Sequence, residues 1–213
     1  MNRGEGMDER TRRAQRKWDK RAGAYDRGIA FFEKLLFSGG REWVCSRARG
    51  DVLEIAAGTG RNFPFYSSDV RLTALEFSPK MLDVAVRRAR ELGRDVDLRL
   101  GDAQALEFPD ETFDTVVCTL SLCSIQDDRK AVAEATRVLR PGGRLLLLEH
   151  VRSPITLVRI VQRILEPLMR LQDDTLLREP LDHLSREGLE VQTVERSKWG
   201  IVERVAATKH IPE

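Results

Sequence analysis

Three carboxylates occupy positions from which they can do chemistry. Glu54, Glu76 and Asp102 each lie at the end of an apolar stretch or just past it. The first stretch reads Val52-Leu53-Glu54-Ile55-Ala56-Ala57-Gly58-Thr59-Gly60-Arg61-Asn62. An apolar run followed by two close glycines and a helix-like segment describes a strand, a tight turn and a helix. Glycine has no Cβ to block a ligand, and amides opening the next helix carry partial positive charge. This arrangement suits a nucleotide-like ligand. Phe63 stands where a dinucleotide-binding turn has its third small residue, and no Gly-Lys-Ser/Thr of a phosphate-binding loop follows. Glu54 suits a ligand bearing an ammonium group better than a pyrophosphate. In Leu72-Thr73-Ala74-Leu75-Glu76 a second strand ends in an acid, placed to accept hydrogen bonds from ribose hydroxyls. Phe77 follows and offers a face to a base, and Ser78-Pro79 opens a helix.

These groups need a framework of alternating strands and helices. Strands are expected at 96–100 and at 113–120, the latter apolar enough for a buried parallel strand. An amphipathic helix spans 128–139, the Arg140-Pro141-Gly142-Gly143 turn ends it, and 144–149 forms the fifth strand. Two last strands, 189–194 and 201–208, form an antiparallel hairpin at the sheet edge. Ahead of the first strand, helices are expected over 10–25 and 29–37, with a short one around Trp43 and Val44. They cap the sheet or cover the ligand. Residues 154–172 carry an apolar stripe interrupted by Arg159, Arg163 and Arg170, with Pro167 expected to kink any helix there. The stripe suits a substrate pocket, a membrane surface, the core or a dimer contact.

Composition narrows the class. With 41% hydrophobic and 33% charged residues in 213, the chain reads as one globular α/β unit with its own core. Residues 1–27 hold nine Lys/Arg against five Asp/Glu, and the remainder 27 against 29. This basic arm is either a solvated helix face or a surface for an anionic partner. Cys45, Cys118 and Cys123 are too few for a disulfide framework and read as small buried residues. No signal-peptide core and no apolar run of about 20 residues is present, which sets a cytoplasmic expectation, with peripheral membrane contact open.

At the glycine turn and its acidic companions the chain resembles the class I methyltransferases that bind S-adenosylmethionine (SAM). Trp18-Asp19-Lys20-Arg21-Ala22-Gly23-Ala24-Tyr25-Asp26 is similar to the N-terminal lid phrase of the ubiquinone-biosynthesis-like small-molecule group. The phrases 117–124, 137–143 and 149–151 are similar to membrane-associated thiol methyltransferases and bacterial phospholipid N-methyltransferases. The resemblance implies a Rossmann-like, seven-stranded, mostly parallel sheet with an antiparallel final strand, helices on both faces and an N-terminal helical lid. It implies one domain over 1–213, with the lid at 1–47, the SAM-binding core at 48–213, and an inserted apolar helix near 154–172.

The cofactor set so implied is Tyr25, Glu54, Ala56, Gly58, Gly60, Asn62, Glu76, Phe77, Ser78, Met81, Asp102, Ala103, Thr119, Leu120 and Ser121. Asp102 would accept from the adenine amino group and the Ala103 amide would donate to a ring nitrogen. His150, just past the fifth strand, is a candidate base or a plain structural histidine, and Tyr25 is either a second helper or a packing residue. No metal is implied. The Asn/Asp-Pro-Pro-aromatic phrase of enzymes that methylate planar nitrogens is missing after 119, so no nucleic-acid partner is expected. The expected activity is methyl transfer to an apolar or amphiphilic acceptor: a thiol, a phospholipid amine or a quinone-like ring. A nicotinamide-dependent oxidoreductase and a SAM-binding protein without turnover are the alternatives. Oligomeric state is left open.

Overall fold

A computed structural model describes residues 9–172 and 174–211. The first eight positions of the expected basic arm and lid lie outside the described residues. Seven strands form one sheet: β1 (Asp51–Ile55), β2 (Arg71–Glu76), β3 (Asp97–Leu100), β4 (Phe113–Thr119), β5 (Leu139–His150), β6 (Leu189–Ser197) and β7 (Val202–Lys209). Their order is β3-β2-β1-β4-β5-β7-β6. The pairs among β1 to β5 are parallel, and β7 runs antiparallel to both β5 and β6. The final hairpin therefore inserts its second strand between β5 and β6.

Alternation along the strands decides what each face buries. Leu53, Ile55, Val116, Cys118, Leu145 and Leu147 face one way, onto Ala131, Val132, Ala135 and Val138 of α5 (Asp128–Val138) and onto Leu184 of α7 (Leu181–Leu184). Val52, Ala74, Val117, Leu146 and Leu148 face the other way. They meet Val44 and Cys45 of α3 (Gly40–Cys45) and Ala85 and Ala89 of α4 (Pro79–Glu91). Because both faces are covered, central strands read as continuous apolar runs.

Phe63, in the turn after β1, is fully buried in this second cluster. Truncating a buried phenylalanine costs about 3–5 kcal/mol. Phe63→Ala is therefore expected to lower the thermal midpoint by roughly 6–20 °C, at about 2–4 °C per kcal/mol for a chain of this size. A scan showing less than about 3 °C would mean the ring is not a core element.

Some boundaries differ from the sequence reading. The two helices expected over 10–25 and 29–37 are both present with their boundary moved: α1 (Glu9–Arg21) stops earlier, and α2 (Tyr25–Leu36) begins at the tyrosine. Gly23 sits in the break, where helix propensity is low, and Asp26 gives the first turn of α2 a favourable negative charge. The Arg140–Gly143 segment is not a free turn. It belongs to β5, whose register on β4 shifts between Phe113 and Thr115. α6 (Thr156–Arg170) keeps Pro167 within its last turn. Among the described residues, no helix is long and apolar enough to cross a membrane.

Candidate functional site

In this strand order β1 turns to β2 on one side and to β4 on the other. The cleft opens at that switch point, beyond the carboxyl ends of the strands, where open α/β sheets hold ligands. Its floor comes from Ala56, Ala57, Gly58 and Thr59 after β1, from Glu76 and Phe77 after β2, and from Thr119, Leu120 and Ser121 after β4. Ala56 and Leu120 hold left-handed backbone conformations, φ 52° and 53°. Such positions cost roughly 1–3 kcal/mol each and concentrate at ligand sites. The Ser121 hydroxyl ties the two strand ends by donating to the Ala56 carbonyl at 3.2 Å.

Glu76 is the best-placed of the acids. Its Oε2 accepts from the Gly58 N–H at 2.8 Å and its Oε1 from the Ser78 N–H at 2.9 Å. The carboxylate lines the cleft with lone pairs to spare. Burial pushes its pKa up to about 7 against the pull of the Ser78 and Gly58 amides. Gly58 has φ 58°, and a Cβ there would meet nothing within 4 Å, so the turn presents open space where a ligand would lie. Phe77 also walls an adjoining hollow lined by Gly101, Asp102, Ala103, Gln104 and Ile125. Asp102 is partly engaged by its own turn: Oδ1 accepts from the Gln104 backbone and side-chain N–H groups at 2.9 and 3.0 Å.

The N-terminal helices are fastened to the cleft by hydrogen bonds and ion pairs. On α1, Gln15 donates to the Phe77 carbonyl at 2.5 Å, and Asp19 accepts from the Ser78 hydroxyl at 2.6 Å. On α2, Asp26 accepts from Thr59 at 2.7 Å and pairs with Arg88, while Glu33 bridges Arg41 and Arg61. Trp18 and Tyr25 thereby come to the cleft wall, their rings edge-on at 5.7 Å. Burial raises the Tyr25 phenol to about 12, so it stays protonated near neutrality and does not act as a base.

Eleven of the cofactor candidates line the cleft or its adjoining hollow; Glu54, Gly60, Asn62 and Ser78 do not. Glu54 lies one layer beneath. It accepts from Asn62 Nδ2 at 3.0 Å and from the Tyr66 hydroxyl at 2.9 Å, and burial pushes it up to about 7. Asn62 is spent on Glu54, Thr119 and Arg41. A Cβ on Gly60 would stand 2.4 Å from the Phe63 ring, so this glycine answers to packing. Ser78 caps α4, accepting from the Met81 N–H at 3.2 Å. The ammonium role read for Glu54 therefore becomes a supporting one.

His150 is not brought to the cleft either. Alternation along β5 sends Glu149 and His150 in different directions. Glu149, raised to about 7 by burial, accepts from the Ser121 and Leu122 amides at 3.1 and 3.2 Å and holds the loop after β4. His150 Nε2 lies 3.5 Å from Asp174 Oδ1. Burial disfavours its charge, but Asp174 outweighs this and leaves its pKa above the ordinary value. Cys123 completes a trio of ligand-type side chains whose donor atoms lie within 4.8 Å of one another. Cys123 and Asp174 border a larger hollow of about 490 Å³, which shares Ser124, Ile125 and Gln126 with the hollow beside Phe77.

Arg41 and Ser124 escaped the sequence reading. Arg41, on α3, donates to Asn62 Oδ1 at 2.7 Å and to Thr119 Oγ1 at 2.9 Å, and it lines the cleft although nearly buried. It is the guanidinium beside Thr119, at the β4 end of the cleft. Ser124 touches all three hollows. The only sequence signal for Arg41 is its place just after Gly39-Gly40, which names no ligand.

If Glu76 accepts from ribose hydroxyls, binding favours its ionised form. Its pKa then falls from about 7 on binding, and a proton is released. Affinity should rise with pH up to about 7 and level off above, changing by up to about tenfold per unit below. Calorimetry with S-adenosylhomocysteine in two buffers of different ionisation enthalpy reads the released proton. An affinity flat between about pH 5.5 and 8 would contradict the linkage.

Comparison with known proteins agrees with this geometry. Residues 53–147 match the methyltransferase domain family model. A human thiol S-methyltransferase is 30% identical over 188 residues, covering 84% of this chain and 77% of that protein. A phosphatidylethanolamine N-methyltransferase from Cereibacter sphaeroides is 41% identical over 103 residues, 47% of this chain and 51% of that protein. Against the bacterial relative, the chain thus spans about half its length. Among solved structures, a SAM-dependent methyltransferase from Thermotoga maritima superposes with a TM-score of 0.70 at 21% identity, over 92% of this chain and 99% of that one. That likeness establishes the shared fold.

Proposed function

Since the chain belongs to the class I SAM-dependent methyltransferases, we propose that it transfers a methyl group to an apolar or amphiphilic small molecule, with a thiol or a phospholipid-type amine as the leading acceptors. The observation that carries this reading is the shared opening of Glu76, Gly58, Arg41 and Tyr25 onto one cleft. The residues present fit SAM. Glu76 supplies anchored acceptors for the ribose. Phe77 and Asp102 suit the adenine, Arg41 suits the amino-acid carboxylate, and the aromatic faces of Trp18 and Tyr25 suit a sulfonium.

Bound there, SAM supplies a methyl on a sulfonium, which leaves as a neutral thioether without an acid's help. The chain's own work is alignment and exclusion of water, and orientation of reacting groups is worth on the order of 7–11 kcal/mol. The N-terminal helices bring Trp18 and Tyr25 to the cleft wall, and Glu149 holds the Ser121 and Leu122 amides, fixing Ser121 where it lines the cleft. An acceptor thiol or ammonium must give up a proton before or during transfer. Tyr25 cannot take it, because its phenol is held protonated. Burial works against the charge of Asp174, but His150 more than offsets this and keeps the carboxyl below its ordinary range. Asp174, paired with His150, borders the larger hollow.

The relatives' names favour thiols and phospholipid amines over a nicotinamide reaction. The test is a labelled-methyl screen over alkyl and aryl thiols, phosphatidylethanolamine, secondary amines and quinols. Transfer to a thiol or a phospholipid amine is expected. Tight SAM binding with no transfer to any of the four classes would favour a binding protein without turnover.

A further inference from the structure

α6 is built inside out. The side chains that fasten it to the protein are polar. Gln162 accepts from the Ser153 N–H at 2.9 Å and donates to the Val151 and Leu176 carbonyls at 2.9 and 3.1 Å. Glu166 accepts from the Thr175 hydroxyl at 2.5 Å and the Leu176 N–H at 2.8 Å. These two are the helix's buried residues. Its large apolar side chains point to solvent: Leu157 is 73% exposed, Ile164 72% and Leu168 56%, with Ile160, Val161 and Leu165 close behind. At about 100° per residue, those six fall within an arc of roughly 140°, with the buried pair opposite. None of the six lines the cleft or either of the two hollows beside it, so the stripe is not a pocket wall.

Charge says what covers it. Arg159, Arg163 and Arg170 gather within about 40° of one another between the buried pair and one edge of the apolar arc, about 60° or more from that edge, and Arg170 pairs with Glu166 at 2.9 Å. The helix's single acid, Glu166, is turned inward and satisfied. At the C-terminal end of α6, Lys17 and Arg21 of α1 donate to the carbonyls of Leu171 and Gln172. The basic first helix therefore adjoins the same surface. A second copy packed on this face would bring Arg159 and Arg163 towards their counterparts, and the helix's single acid is already paired with Arg170. An anionic bilayer offers acyl chains to the arc and phosphates to the arginines, the pattern of a helix lying in the interface.

We propose that α6 lies in the plane of an anionic membrane surface, with Leu157, Ile160, Ile164 and Leu168 at the acyl boundary and Arg159 and Arg163 at the phosphates. α6 follows β5 closely, and the carboxyl end of β5 lies at the same sheet edge as the cleft, so docking would present the cleft's side of the molecule to lipid.

The test is co-sedimentation of the full chain with phosphatidylcholine vesicles containing about 30% phosphatidylserine, against phosphatidylcholine alone. Binding at least about tenfold tighter to the anionic vesicles is expected. The double variant Ile164→Glu, Leu168→Glu alters exposed positions only, and should lose about tenfold or more of that binding while S-adenosylhomocysteine affinity stays within about twofold. Arg159→Glu with Arg163→Glu should erase the preference for anionic lipid. No binding to either vesicle, or binding that both double variants leave intact, would overturn the proposal. So would a dimer in sedimentation velocity that Ile164→Glu dissociates, since a second copy would then cover the face.

Discussion

Glu76→Ala is expected to weaken S-adenosylhomocysteine binding by roughly 10- to 100-fold, because hydrogen bonds to a charged group are worth about 1.5–3 kcal/mol. The carboxylate does two jobs. It anchors the turn through the Gly58 and Ser78 amides, and it offers its remaining lone pairs to the cleft. Removing it leaves two amides without their acceptor as well as the ligand without its own. Glu76→Gln keeps the volume but loses the charge and turns N–H groups toward N–H groups, so it should fall between alanine and the native residue. Calorimetry on variants whose thermal midpoints are also recorded separates binding from folding. An affinity for Glu76→Ala within about twofold of the native protein would show that ribose recognition lies elsewhere.

Arg41→Ala should cost S-adenosylhomocysteine at least about tenfold in affinity while leaving 5′-methylthioadenosine, which lacks the amino-acid group, within about twofold. The reason is position. The Arg41 guanidinium is held by Asn62, Thr119 and Glu33 and lines the cleft beside Thr119. Glu33 keeps Arg61 as a partner at 2.7 Å when Arg41 is removed, so the lid is not left with an unpaired acid. Arg41→Lys should rescue poorly, because an ammonium cannot reproduce a planar fork bonded to three partners. Equal losses for both ligands would mean that Arg41 shapes the turn rather than meeting the carboxylate.

The order of motifs along the chain made much of this site readable. A strand, a glycine turn, a second strand ending in Glu76 and a third followed by Asp102 can be traced by local pattern, because each signal lies within a few residues. What pattern could not supply was direction. Periodicity marks the α6 stripe but not that Gln162 and Glu166, rather than Leu157 and Ile164, face the protein. Strand-end position marks Glu54 and His150, yet neither lines the cleft. Asn62 and Tyr66 hold Glu54 beneath it, and strand alternation turns His150 toward Asp174. Arg41 reaches Thr119 across 78 positions, a contact that only the sheet order creates.

Whether the cleft at the switch point holds an adenosyl sulfonium can be read in one set of isothermal titrations, of the native chain with SAM, S-adenosylhomocysteine and NAD. One saturable site for SAM and for S-adenosylhomocysteine is expected, with no heat from NAD. Saturable NAD binding, with neither adenosyl ligand competing for it, would contradict the assignment of this cleft.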